Sequence, residues 1–296
     1  VRIRGYPKNQ FSLDATETRF RALLDWVTSG CDDTESPRSF RFLNFPLTSF
    51  STTPRAVGAR RYAMVPALRE RHYENRFTDD YVVYGGRPNW GAHAPKESDG
   101  DVRLRADVVA VPADAPGRAV RLSVPHSVIR AERAGDDIVL TGYRDSEGLG
   151  VSVVKLDGAP RIGATEFLLG RYESEGRSHA FNSRIGPDGA GLIGLPTVAL
   201  VRESMRWVFR SDASDVSFLS VSAAGDLRAA GVLEGSDDSE DPAYECEVSC
   251  VDWYGNTRPI FLGSRIFGLS GAELIEGVLE GGSVREAGRL NITAPR

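Results

Sequence analysis

The residues with the densest chemistry lie in one run, Asp252-Trp253-Tyr254-Gly255-Asn256. An acid, two aromatic rings and an amide side by side suit a sugar- or peptide-binding loop. A flat ring stacks on the ligand's apolar face, and Asp252 and Asn256 offer hydrogen-bonding partners to its polar groups. The plainer reading is a corner in which Trp253 packs and Asp252 caps a turn. Just upstream, Cys246 and Cys250 stand four residues apart in YECEVSC. In an extended strand, residues with that spacing are about 13 Å from each other, too far for a disulfide. A bond there needs a bend, which the flanking Asp, Glu, Ser and Pro residues favour. A Cys246–Cys250 disulfide is the first reading, two free thiols the second. Zinc is the third, because no His or second Cys pair has the spacing to complete a site. Cys31 is then free or paired elsewhere.

Two further stretches invite a ligand. Trp90, in Asn89-Trp90-Gly91 with His93 nearby, offers a second aromatic for stacking. The acidic run Ser236 to Asp241, SDDSED, could hold Ca²⁺ but lacks the Gly and alternate spacing of an EF-hand loop. A solvated acidic loop is the simpler account. Motifs of catalysis are missing: there is no G-x-S-x-G, H-E-x-x-H, P-loop or G-x-G-x-x-G after a strand, and no Asp box of the sialidase type. His72, His93, His126 and His179 are scattered. His126 in VPHSV and His179 in RSHAF each precede a strand pattern and read as structural, bonded to backbone. No catalytic residue and no cofactor is assigned.

Composition limits the field. With 41% hydrophobic and 26% charged residues and a net charge of −5, the chain has an ordinary soluble surface. Nothing in it suggests nucleic-acid binding, which needs a clustered positive field. Lysine occurs only at Lys8, Lys96 and Lys155, a skew that fits a G+C-rich genome. No apolar run approaches the roughly 20 residues of a membrane span. The 31 Gly and 16 Pro fit many turns and few long helices.

The elements that must position these residues are short strands. From Ile260, three apolar runs follow one another: Ile260-Phe261-Leu262, Ile266-Phe267-Gly268-Leu269 and Ala272-Glu273-Leu274-Ile275. Gly263-Ser264 and Ser270-Gly271 separate them as tight turns needing positive φ. Such strands pair only with their immediate neighbours, in a meander. A similar unit recurs as TDDYVVYGG at Thr78, GDDIVLTGY at Gly135, GSRIFGLSG at Gly263 and, more loosely, GAGLIGLPT at Gly189. The spacing has no clean period. About twenty strands are expected, including Val1–Tyr6, Phe11–Leu13 and Phe40–Phe50. Pro66–Arg76 and Ala272–Leu279 are the only helical alternatives.

In this order, the motifs resemble the bacterial and archaeal family of secreted proteins with a C-terminal β-propeller domain, and its myxobacterial members in particular. GYPKNQFSLDA at Gly5, NRFTDDYVVYG at Asn75 and TRPIFLGSRIFGLS at Thr257 carry the likeness. Glu166, Glu173 and SHAF at Ser178 come before GLIGLP and add to it. The resemblance implies a propeller and an extracellular or cell-surface setting, and it transfers no catalytic residue. The expected fold is all-β: a β-propeller of short antiparallel meander blades over residues 1–296, incomplete in this chain and forming the C-terminal part of a longer precursor. The expected function is non-enzymatic binding or scaffolding, as a subunit of a surface or extracellular assembly. Its partners are other proteins or its own N-terminal fragment, as a homo- or hetero-oligomer. The alternative is a secreted glycosidase-like hydrolase whose acids come from separate blades.

Overall fold

The computed structural model describes residues 1–26, 39–70, 72–88, 104–174, 178–199, 214–236, 257–271 and 273–292. Among them are twenty-one β-strands, several 3₁₀ turns and no α-helix. The strands form five antiparallel sheets, each from strands consecutive in sequence. The first holds β1 (Leu13–Ala15), β2 (Arg19–Trp26), β3 (Ser39–Pro46) and β4 (Tyr62–Val65). The second holds β5 (His72–Phe77), β6 (Tyr81–Arg87), β7 (Ala106–Pro112) and β8 (Val120–Val124). The third holds β9 (Arg130–Ala134), β10 (Asp137–Tyr143), β11 (Gly148–Lys155) and β12 (Arg161–Leu169). In the fourth, β13 (Tyr172–Glu173) and β14 (Asn182–Ile185) both pair with β15 (Gly191–Val198), followed by β16 (Asp215–Val221) and β17 (Leu227–Leu233). The fifth holds β18 (Thr257–Leu262), β19 (Arg265–Ser270), β20 (Glu273–Glu280) and β21 (Ser283–Asn291).

The recurring units of the sequence are equivalent in the structure. TDDYVVYGG, GDDIVLTGY, GAGLIGLPT and GSRIFGLSG each supply the turn into, and the body of, β6, β10, β15 and β19. These are the second strands of the first hairpins of sheets two, three and five and, in sheet four, the strand that pairs with both β13 and β14. Gly263 and Gly271 adopt φ +60° and +55°, the left-handed conformation that tight turns demand of glycine.

The sheets pack face to face in chain order. β5 touches β9, β9 touches β14 and β14 touches β18, while β8 touches β12, β12 touches β17 and β17 touches β21. Leading strands thus meet leading strands and trailing strands meet trailing strands. Each junction has its own apolar core. Leu23, Phe40 and Phe42 meet Tyr73, Val82 and Tyr84 between sheets one and two. Val83 and Val108 meet Ile138 and Leu140 at the next junction, and Val139 and Val151 meet Ile193 and Leu195 after that. Val216 and Phe218 meet Ile266 and Ile275 at the last. Each such side chain contributes about 1.5–3 kcal/mol by leaving water. The far face of sheet one is covered by the chain itself: Val1, Ile3 and Val57 pack with Ala22, Leu24, Leu43 and Phe45.

Several expected elements differ. Val1–Tyr6 makes two isolated bridges, to Ala56 and Asp25, rather than a strand. Gln10–Ser12 is a 3₁₀ turn, as is Leu47–Ser49 after Pro46. The two stretches with a helical alternative contain strands β5 and β20, because paired neighbours complete their hydrogen bonds. No helix among the described residues is long and apolar enough to cross a membrane.

Candidate functional site

The residues singled out for chemistry fall largely outside the described residues. Asp252, Trp253, Tyr254, Asn256, Trp90, His93, Cys31, Cys246 and Cys250 all do, as does SDDSED beyond Ser236. Ser236 itself is described. Its backbone N–H and its hydroxyl both donate to the Glu273 carboxylate, at 2.8 and 2.9 Å. Among the described residues no group of three His, Cys, Asp or Glu side chains could hold a metal ion.

His126 is structural, as its context suggested. Gly142 and Gly150 face each other across β10 and β11. A Cβ on Gly142 would overlap the Ser127 carbonyl, and one on Gly150 would come within 2.8 Å of the His126 ring. The paired glycines therefore make room for Pro125-His126-Ser127 to lie on the sheet. The His126 Nδ1–H donates to the Ser127 carbonyl at 2.6 Å, since that oxygen can only accept. Nε2 then accepts from the Ser152 hydroxyl at 2.7 Å, and Ser152 Oγ lies 2.7 Å from Thr165 Oγ1. Complete burial pushes the imidazole pKa down to about 4, so the ring is neutral near pH 7. The serine–histidine pair resembles a nucleophile with its base, yet both are sealed from solvent.

Sequence reasoning missed a charged cluster linking three sheets. Arg76 on β5 donates to the Ala131 carbonyl at 2.9 Å and pairs with Glu132 on β9. Arg130, also on β9, pairs with Glu132 at 3.1 Å and with Glu173 on β13. Thr141 donates to the other Glu173 oxygen at 3.3 Å. The four charges cancel, and all four carboxylate oxygens have donors. Burial raises the Glu132 carboxyl above the usual range, against the pull of Arg76 and Arg130. Burial also lowers the Arg76 guanidinium. For Arg130 burial acts in the same sense, but Glu173 and Glu132 outweigh it and hold the charge more firmly than usual. The only local signal in the sequence is Arg-Ala-Glu at Arg130, opposite charges on one face of a strand.

Two acids on separate sheets do converge here, as the hydrolase alternative requires. They are nevertheless clamped by guanidiniums, with side chains 9% and 5% exposed. Such a saturated ion cluster fixes the relative position of sheets rather than holding a free acid and base.

The other feature with functional potential is the outward face of sheet five. Ile266, Ile275 and Val284 face sheet four, so their strand neighbours point the opposite way. Register places Leu269 between Arg258 and Leu274, with Leu290 on the far side of Leu274. Phe267 lies between Ile260 and Glu276 on the same face. Leu262 and Leu290 are 66% and 60% exposed. Across this face Arg265 forms a bidentate pair with Glu276 at 2.8 and 2.9 Å and lies over the Phe267 ring. Arg258 has a buried Nε without a hydrogen-bond partner among the described residues. The long strand β21 borders the sheet, with seven of its nine residues exposed. No protein-family model matches this chain, and no curated protein matches it either.

Proposed function

We propose that this chain is a propeller-type stack of blades that works outside the cytoplasm as a binding and scaffolding module. The packing of leading strand on leading strand and trailing on trailing supports the propeller reading, since that geometry fans blades about a common side. The observation that carries the function is the outward face of sheet five. There Leu262 and Leu290 stand exposed beside the half-buried Ile260, Leu269 and Leu274, in the alternation that the inner faces use to receive a neighbouring sheet. Its occupant, in this reading, is an apolar β-sheet of another polypeptide that brings carboxylates to Arg258 and to Arg285, the exposed β21 residue opposite Val278, next to the inward Val284 and so on the outward face. Those guanidiniums would repel a second copy of the same face. The open edge of β21 adds a row of backbone groups for strand pairing. The secreted setting goes with the Cys246–Cys250 disulfide, which peptide mapping without reductant would show as one linked fragment.

The test places a photo-crosslinking side chain at Leu262, at Leu290 and, as a control, at the exposed Leu169 of sheet three, in protein made by its own cells. A discrete heterologous adduct from the first two positions and none from the third supports the proposal, provided mass spectrometry maps it to an acidic, β-rich chain. Adducts between two copies, or no adduct at either position, sink it. Turnover of a glycoside that Glu173→Gln abolishes without unfolding the protein would favour the hydrolase reading instead.

A further inference from the structure

We infer that the outer surface of sheet one is a binding site for an acidic polysaccharide, one bearing carboxylates or sulfates. Three separate stretches of chain bring six guanidiniums together there: Arg2, Arg4, Arg41, Arg55, Arg60 and Arg61. The Arg2 N–H donates to the Arg55 carbonyl at 2.7 Å, and the Val57 N–H donates to the Arg2 carbonyl at 2.9 Å. The Arg4 N–H donates to the Tyr62 hydroxyl at 2.9 Å, and Arg60 and Arg61 immediately precede Tyr62. Arg4 and Arg41 both lie against the Trp26 ring, with Cζ 4.8 and 5.3 Å from its centroid. Tyr62 packs on the same ring at 5.2 Å.

Two properties mark this patch as more than a solvated face. First, the charge is segregated. The chain as a whole carries −5, yet residues 1–9 and 50–65 contain no Asp or Glu. Second, these guanidiniums have no acidic partner among the described residues, although Arg4 and Arg41 lie on the Trp26 ring. Some exposed arginines elsewhere are matched to acids, as Arg69 is to Asp107 and Arg265 to Glu276, and those without an acid partner, such as Arg118 and Arg228, are scattered rather than gathered on one surface. None of these six makes an ion pair among the described residues, and all but Arg41 are exposed. Leaving so many like charges together is unfavourable unless an anion visits them. The guanidinium fork binds carboxylate and sulfate oxygens in pairs, with a geometry that ammonium cannot reproduce. Tyr6, alternating outward beyond Arg2 and Arg4, is an exposed aromatic ring, and such rings stack on the apolar face of a sugar.

Nucleic acid is the competing polyanion. A single strand stacks successive bases on several open aromatic faces, and here the Trp26 ring is already engaged by Arg4, Arg41 and Tyr62, which leaves Tyr6 alone. That favours a ligand read through its charges and one sugar face.

The test uses the intact chain at low and physiological ionic strength. Probes are polygalacturonate, dextran sulfate, neutral dextran, a duplex and a single-stranded DNA of equal charge, and vesicles with anionic lipid. Expected is salt-sensitive binding of polygalacturonate or dextran sulfate, with none of neutral dextran; the stronger of the two identifies carboxylate or sulfate. The triple variant Arg55→Glu, Arg60→Glu, Arg61→Glu should weaken it at least tenfold with an unchanged melting curve, because these side chains are exposed. Arg228→Glu, an exposed arginine on β17, should leave it unchanged. The inference fails if neither polysaccharide binds, if DNA or vesicles bind more tightly at equal salt, or if the triple variant binds as well as wild type. Loss of binding in Arg228→Glu as large as in the triple variant overturns it too.

Discussion

Lowering the pH from 7.5 to 4.5 should destabilise this protein by about 2–3 kcal/mol through His126 alone. The ring is fully buried, donates through Nδ1 to the Ser127 carbonyl and accepts through Nε2 from Ser152. Adding a proton at Nε2 would place a cation in a dry site and turn its one acceptor into a donor facing a hydroxyl. The folded-state pKa is accordingly about 4, against the ordinary 6.5. Between those values the unfolded chain takes up the proton and the folded chain does not. Stability is therefore complete above about pH 6.5 and declines as the pH falls towards 4. The difference of 2.5, at about 1.36 kcal/mol each, sets a ceiling of roughly 3 kcal/mol. Whole domains are stable by only about 5–15 kcal/mol. Glu132 and Asp215, whose carboxyls burial raises, respond with the opposite sign, so the measurement must be a difference. Urea midpoints of wild type and His126→Gln, taken from pH 7.5 to 4.5, supply it. The two curves should converge as the pH drops. Parallel curves with equal slopes against urea would refute the assignment of a buried neutral imidazole.

Other perturbations have equally definite outcomes. Glu173→Gln leaves Arg130 buried with half its compensation and should cost about 3–5 kcal/mol in thermal or chemical denaturation. Asp137→Ala strands the buried Lys155 ammonium, which Asp137 holds at 2.5 Å. The loss should be of similar size and should shrink when Lys155→Met is added, a double-mutant cycle that checks the coupling. Gly142→Ala pushes a methyl group into the Ser127 carbonyl, displacing the His126 loop at a cost of about 1–3 kcal/mol or more. NMR titration of the variant should show the His126 pKa rising towards 6.5.

Much of the fold was legible because strand and turn chemistry is local. The Gly263 hairpin needs only a glycine at positive φ between two apolar runs, and both are adjacent in the sequence. The four recurring units landed on equivalent strands for the same reason. The first sheet was harder. Its counterpart, Thr16 to Leu24, lacks the Gly or Asp-Asp turn of the others. Val1–Tyr6 alternates like a strand but lies as a cover on sheet one. The charged cluster was invisible because its partners are far apart in sequence: 56 residues separate Arg76 from Glu132, and 43 separate Arg130 from Glu173. The same holds for the arginine patch. Its members look like unremarkable surface charges until the bridge between Arg2 and Ala56 brings the two stretches together.

Because each junction core lies between consecutive sheets, the described sheets are coupled energetically as a row of nearest neighbours. Such a row has two ends, and here they are unequal. The leading end is sealed by the chain's own first residues over Leu24 and Leu43. At the trailing end, most of β21 and the last three residues of β20 are exposed. Opening should therefore be polarised: amides of β20 and β21 exchange first and the first junction last, so the molecule frays in one direction. Anything that seats on the last sheet adds one more coupling to the row, and it would raise protection progressively back through the earlier sheets rather than at the contact alone.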